Sequence, residues 1–376
     1  MSTVPFVIAV HGGAGTISPE QANEAPYHEG LQAALRAGAA VLEAGGSALD
    51  AVQAAVQSLE DCPLFNAGCG AVYTADETHE MDASVMDGSN LKAGAVAGVH
   101  GVRNPVALAR AVMDHTNHVL LVGEGAVRLA QEQGVPMADA AYFHSEERLA
   151  QLQRVRAQGA GVMALDHSAK TLTEKPTPIR EDGKHGTVGA VALDQHGNVA
   201  AAVSTGGLTN KRPGRVGDSP IVGAGIYANN ATCAIACTGT GEHFLRACVG
   251  HDIHARMAYK GESLEQAGEA VVHGLLKDIG GSGGLVSVDA KGHVHMPFNS
   301  VGMYRGVMRQ GEAPEAAMQQ IHEGRAWRPL FLWAGRAVNS QPIKRSLLHG
   351  NKTAWPKHAA SHPHLPGHDD LWRTSQ

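Results

Sequence analysis

Hydrophobic positions along the chain alternate between two periods. Phe6 to Val10 is a short apolar run that predicts a buried strand, and His11-Gly12-Gly13-Ala14-Gly15 after it predicts a turn. Residues 27–44 carry apolar positions at helical spacing and stop at Gly45-Gly46. Ser47 is placed to cap a second helix through about Leu59. Residues 70–74, 81–87 and 93–99 predict strands, Asn104-Pro105 predicts a helix start with cap and N1 proline in order, and His118 to Val122 predicts a strand with a helix after Glu124.

The pattern breaks from about Gln158 to Gly186. Residues 166–186 are polar, charged and Pro-containing, so a mobile linker is expected there. Regularity returns abruptly at Thr187. Residues 187–194 and 198–205 predict two apolar strands joined through Gln195-His196-Gly197 as a hairpin. Further strands are expected near 221–226, 232–238, 283–288 and 292–296, with helices near 241–258 and 263–278. Two packed sheets covered by helices fit this order, although pattern alone does not set the order of layers.

Composition narrows the function classes. The chain of 376 residues has 30 Lys and Arg against 36 Asp and Glu, a net charge of −6, and no basic stripe of the kind that collects phosphates. A nucleic-acid partner is therefore not expected. No run of about 20 apolar residues predicts a membrane span. The start lacks the charged segment, long apolar core and cleavage site of a secretory signal, so a cytoplasmic protein is expected. The five cysteines, Cys62, Cys69, Cys233, Cys237 and Cys248, form no CxxC pair and read as free thiols. Of the 22 histidines, His251 and His254 could share a helix face, and His358, His362, His364 and His368 cluster near the end. No HExxH or Cys/His constellation accompanies them, so no catalytic metal is expected.

The chemistry concentrates between His185 and Glu242. That window reads HGTVGAVALD, then STGGLTNKRPGRVGDSP, VGAGIYANN and CTGTGE. Together with VIAVHGGAG at the start, LEDCPLFNAGCGAVYT at 59–74, MDASVMDG at 81–88, KAGAVAGV at 92–99, RNP at 103–105 and MPFNSVGMYRG near 300, it resembles the plant-type asparaginases, or isoaspartyl peptidases, of the N-terminal nucleophile hydrolase superfamily. The resemblance runs from about Phe6 to Arg305. It implies a four-layer αββα sandwich and a single domain over 1–306, cut between Gly186 and Thr187 into 1–186 and 187–376. Residues 307–376, which hold all four tryptophans, fall outside it and are expected to form a poorly ordered tail without catalytic role.

The reaction explains why such residues are needed. Water cleaves an amide slowly, and a covalent ester replaces one hard step with two easier ones. A threonine hydroxyl needs a base. A free α-amine, with a pKa of about 7.7–8.0, can serve at working pH, whereas a peptide nitrogen cannot. The Gly186–Thr187 bond must therefore break first, and the resemblance implies that it does so autocatalytically. It further implies that Thr205 bonds the Thr187 amine, that Arg215 and Asp218 clamp the α-carboxylate and α-amino group of an aspartyl unit, and that Thr238 and Gly239 form an oxyanion hole. A local Arg215–Asp218 salt bridge is the competing reading of that pair. Asn66 corresponds to an asparagine that polarises the scissile carbonyl. The backbone carbonyls of Leu59, Glu60, Cys62, Phe65, Ala67 and Cys69 correspond to a sodium-binding loop. Asparagine and β-aspartyl dipeptides are the implied substrates, and a dimer of cleaved heterodimers is the implied assembly. A glycosylasparaginase is the nearest rival, though it typically reads PGAGAYAD and TGNGD where this chain has VGAGIYAN and TGTGE. An unprocessed, silent binding protein is the alternative from another class.

Overall fold

A computed structural model describes residues 4–15, 24–157 and 186–319. An eight-stranded sheet is built from β1 (Val7–Gly15), β2 (Met81–Asp87), β3 (Ala93–Val99), β4 (Leu120–Val122), β5 (Thr187–Leu193), β6 (Val199–Thr205), β11 (Gly302–Arg309) and β12 (Glu315–Gln319). Its order is β12-β11-β1-β5-β6-β2-β3-β4, antiparallel except for β3–β4. A second, four-stranded sheet holds β7 (Ile226–Ala228), β8 (Cys233–Gly239), β9 (Gly283–Asp289) and β10 (Val294–His295) in the order β10-β9-β8-β7.

Four layers follow from where each strand puts its alternate side chains. Val188, Ala190 and Ala192 of β5 and Ala200 and Ala202 of β6 belong to a core shared with α1 (Glu24–Glu43), α2 (Ala48–Glu60), α3 (Pro105–His115) and α4 (Gly123–Glu132). Cys233, Ile235 and Cys237 of β8 face a separate core under α7 (Gly241–Ala247), α8 (Val249–Lys260), α9 (Leu264–Glu269) and a π-helical turn over Ala270–Leu276. The opposite faces of the two sheets meet through small residues. A methyl group added at Gly189 of β5 would stand 2.9 Å from Ala236 Cβ on β8 and 2.3 Å from His11 Nε2 on β1. This is the αββα sandwich expected from the sequence.

Local departures have local causes. The glycine run 11–15 continues β1 rather than turning; a bulge between His11 and Gly13, with Gly13 at φ 109°, absorbs the irregularity. The strand expected at 70–74 is a 3₁₀ turn, Gly68–Gly70, followed by a lone bridge from Thr74 to Lys211. Gly68 sits at φ +52° with the Glu60 carbonyl where a side chain would start, which folds this segment back on the end of α2. Residues 221–225 form turns closed onto Asp218 and Ile221 carbonyls, which leaves only three residues for β7. The helix expected over 241–258 is broken at Cys248, which adopts φ +48° between α7 and α8.

Helix α3 begins at Pro105 as expected, but Asn104 makes no side-chain cap bond. The buried Glu60 carboxylate does so instead, accepting the Val106 N–H at 3.0 Å. Two helices were not anticipated, α5 (Ala140–Phe143) and α6 (Glu146–Arg156), capped by Asp139 and Ser145. The expected domain boundary at 306 falls inside β11. Residues 307–319 complete β11 and form β12, the edge of the large sheet. The remainder of the expected tail lies outside the described residues, as does the linker expected over about 158–186 apart from Gly186. Among the described residues no helix is long and apolar enough to cross a membrane, and all five thiols are free.

Because the sheets touch through Gly189, the substitution Gly189→Ala should destabilise the protein by about 1–3 kcal/mol, as overpacking does. Urea unfolding monitored by circular dichroism measures this.

Candidate active site

Thr187 opens β5 on the face that looks toward the second sheet. Its register partner on β6 is Thr205, whose own partner on β2 is Asp82. Directly opposed residues share a face, so the three side chains form one row across the sheet. The Thr187 hydroxyl donates to Thr205 Oγ1 at 3.0 Å. Thr205 Oγ1 also accepts the Gly207 N–H at 2.9 Å. With two donors directed at it, that oxygen is held in place by main chain on one side and by Thr187 on the other.

The Thr187 carbonyl is fixed from the other flank. His11 Nδ1 lies 3.1 Å from it, and since a carbonyl only accepts, Nδ1 carries the proton. Burial pushes His11 down to about 3, partly opposed by this bond, so the ring is neutral. His11 was missed as a site residue in the sequence. A histidine within an apolar strand, Val7 to Val10 before it, was the available signal.

Asn66 braces the turn after β6. Its Nδ2 donates to the Gly207 carbonyl at 2.7 Å, its Oδ1 accepts the Val72 N–H at 3.0 Å, and its own carbonyl accepts the Gly206 N–H at 3.0 Å. These bonds place Asn66 behind Thr205 rather than on the Gly186 carbonyl. The loop expected to bind sodium runs immediately before and after it. The carbonyls of Leu59, Cys62, Phe65 and Ala67 each accept one loop N–H, at 3.2, 3.3, 2.9 and 3.1 Å, and each retains a second lone pair. The Glu60 carbonyl abuts Gly68, and Cys69 adjoins it in the 3₁₀ turn.

The charged groups stand on the loop after β6 and on α7. Arg215 offers Nε and Nη2 to the two carboxylate oxygens of Glu242, both at 3.0 Å, a two-pronged pair. The alternative local salt bridge to Asp218 is therefore not what occupies the guanidinium. Glu242, the last residue of CTGTGE, was not assigned a role from sequence; an acid closing a glycine-rich turn was the only cue. Asp218 is buried, and its Oδ2 has no protein partner among the described residues. Burial raises it to about 7, against the pull of the nearby Arg215. Gly241 separates the two: a side chain there would begin 2.9 Å from Asp218 Oδ1 and 3.0 Å from Arg215 Nη2.

Thr238 and Gly239 end β8. Thr238 is fully buried with its hydroxyl unpartnered among the described residues, and Gly239 packs against the Phe244 ring with no room for a Cβ. Thr240 stands at the N-cap of α7 without a side-chain cap bond, so capping does not account for this threonine-rich turn.

These groups converge on one cleft, lined by Gly186, Thr187, Thr205, Arg215, Asp218 and Gly239 among others. Thr238 and Asn66 are not in its lining. Its open room is about 10 Å³, about enough for one water, and Gly186 is part of its wall. A larger cavity of about 880 Å³ opens near Tyr73, His79, Phe143 and His144. It shares no lining residue with the cleft. His254, considered as a ligand with His251, bonds Thr232 Oγ1 through Nδ1 at 2.6 Å.

Known proteins resemble this chain over most of its length. The family model described as asparaginase matches residues 4–318. The isoaspartyl peptidase of Escherichia coli (strain K12) is 55% identical over 311 residues, covering 82% of this chain and 94% of that protein. The isoaspartyl peptidase of Salmonella typhimurium (strain LT2) is 56% identical over 311 residues, covering 82% and 96%. The probable isoaspartyl peptidase/L-asparaginase 2 of Arabidopsis thaliana is 39% identical over 327 residues, covering 83% and 98%. The match spans the whole described sandwich, and the chain belongs to the asparaginase family of N-terminal nucleophile hydrolases.

Proposed function

We propose that this chain cuts itself before Thr187 and then hydrolyses β-aspartyl dipeptides and L-asparagine, releasing L-aspartate. The convergence of Thr187, Thr205, Arg215, Asp218 and Gly239 on one cleft whose wall includes Gly186 carries this reading. The names of the relatives support it.

In the first step the Thr187 hydroxyl oxygen attacks the Gly186 carbonyl. The C–N bond breaks, the nitrogen takes the hydroxyl proton, and an ester links Gly186 to Thr187 Oγ1. Water hydrolyses that ester. Gly186 leaves as a carboxylate and Thr187 keeps a free α-amine. Gly186 has no side chain to hinder the attack, and its departure from the cleft wall makes room for substrate.

In the second step the amine takes the Thr187 hydroxyl proton as the oxygen attacks the side-chain carbonyl of the substrate. Thr205 Oγ1, bonded to Thr187 in the uncut chain, remains beside the new amine. The tetrahedral oxyanion is met by the Thr238 hydroxyl and the Gly239 N–H. The amine proton passes to the leaving nitrogen, which departs as ammonia or an amino acid. Water then frees aspartate. Arg215 receives the substrate α-carboxylate, held in position by Glu242, and Asp218 receives the α-ammonium. A sodium ion held by the carbonyls of the 59–69 loop would stiffen the support of Asn66, and the functional unit is a dimer of cleaved heterodimers.

Time-resolved denaturing gels with parallel assays on β-Asp-Leu, asparagine and glycosylated asparagine test the proposal. Two chains and release of aspartate from the first two substrates are expected. A single chain that never splits would favour the silent binding protein, and preference for the glycosylated substrate would favour the glycosylasparaginase. Thr187→Ala should abolish both splitting and turnover. Glu242→Gln should leave splitting intact and raise KM about tenfold, the ~1.4 kcal/mol expected when a charge-assisted pair is weakened. Because Asp218 is raised to about 7 and only its ionised form holds an ammonium, KM should rise as pH falls below 7. Steady-state kinetics across pH 5.5–8.5 should show this rise of about tenfold per unit at the acid end, and Asp218→Asn should remove it.

A further inference from the structure

Lys211 is fully buried, which a lysine almost never is unless paired. Its stem runs under the turn that follows β6. A methyl group placed on Gly207 would lie 2.9 Å from both Cδ and Nζ of Lys211. The ammonium donates to the Glu80 carbonyl at 2.6 Å, just before β2. Gly207, at φ +79°, is the residue whose N–H holds Thr205 Oγ1 and whose carbonyl is held by Asn66. The lysine therefore packs directly on the turn that aims the nucleophile's hydrogen-bond partner.

An opposite charge comes from β2. Asp82 is fully buried and stands in the same cross-strand row as Thr205 and Thr187. Its Oδ1 accepts the Gly98 N–H at 2.8 Å, and its Oδ2 has no protein partner among the described residues. Burial pushes Asp82 up and Lys211 down, and each charge pulls the other back toward ionisation. Glu80, Arg215 and the neutral His79 surround the pair. From β1 the nucleophile is faced by His11, which carries no charge. Beyond Arg215, Asp218 and Glu242 complete the charged groups of the site.

We infer that Lys211 and Asp82, two buried opposite charges, one packed on the Gly207 turn and the other beside Thr205 in its cross-strand row, together position Thr205 and set the basicity of the amine that Thr187 gains on cleavage. The inference rests on the function proposed above. Lys211 acts through the Gly207 turn, and neither member gains or loses a proton during turnover. In a water-poor interior a fixed cation near an amine disfavours its protonation, and a fixed carboxylate favours it. Removing one charge should therefore move the amine's titration one way, and removing the other should move it back.

The test begins with the wild-type protein. Two chains with Thr187 at the new N-terminus and hydrolysis of β-Asp-Leu establish the function; their absence would overturn that reading rather than the charge pair. The acid limb of kcat against pH is then compared for Lys211→Met, Lys211→Arg, Asp82→Asn and the double variant. Lys211→Met should shift the limb up by about one pH unit with KM little changed. Asp82→Asn should shift it down, Lys211→Arg should retain it, and the double variant should return it close to wild type. A merely structural lysine would alter thermal stability and leave the limb in place. Unmoved limbs in the single variants, or shifts in the same direction, overturn the inference. Where Lys211→Met does not fold or does not split, Asp82→Asn decides: a limb that stays or rises contradicts the pair.

Discussion

The hydrogen bond from the Thr187 hydroxyl to Thr205 Oγ1 is the constraint on which the rest of the site depends. It exists because β5 and β6 pair in a register that sets Thr187 opposite Thr205. A slip of one residue would turn Thr187 into the helical core on the other face. The register is secured by two kinds of side chain. Val188, Ala190 and Ala192 must reach the core beneath α1 to α3, and Gly189 must leave room for Ala236 and His11. Hydrophobic packing on one face and close sheet contact on the other thus place one hydroxyl.

Around that hydroxyl the structure fixes backbone more than it adds side chains. His11 holds the Thr187 carbonyl, and Gly207 holds Thr205. Asn66 ties the Gly206–Gly207 turn to the loop that closes α2, and Glu60 ties that same helix to the start of α3. Each of these polar groups is buried, and an unmade bond in such a place is costly. Asp218 Oδ2 and Thr238 Oγ1, two of the buried atoms left unpartnered among the described residues, are those assigned to the substrate ammonium and to the oxyanion. Gly186 itself forms part of the wall of the cleft that holds Thr187.

Much of this was legible in the sequence. The two apolar runs 187–194 and 198–205 either side of Gln195-His196-Gly197 located the central hairpin, and Ser47 marked the start of α2 because its hydroxyl meets the Asp50 N–H. The residues lining the cleft were all within the motif windows quoted from the chain. What escaped notice depends on contacts between distant segments. No local pattern says that the Glu60 carboxylate, 46 positions away, caps Val106. Nor does any say that Glu242 takes the Arg215 fork, or that a lysine in a loop is wholly buried. Residues 70–74 and 221–226 read as strands because they are apolar and small, but Gly68–Gly70 and 221–225 close local turns. Strand β11 and the edge strand β12 escaped because they gain partners only from β1 and from each other.

The central claim is that one residue supplies both the nucleophilic oxygen and the base. Acid quenching during turnover of a β-aspartyl dipeptide, followed by mass spectrometry of the 187–376 chain, tests it most directly. The account predicts an aspartyl ester on Thr187 at the N-terminus of that chain. Steady turnover with no adduct on Thr187, or an adduct on a chain in which Gly186 and Thr187 are still joined, would contradict it.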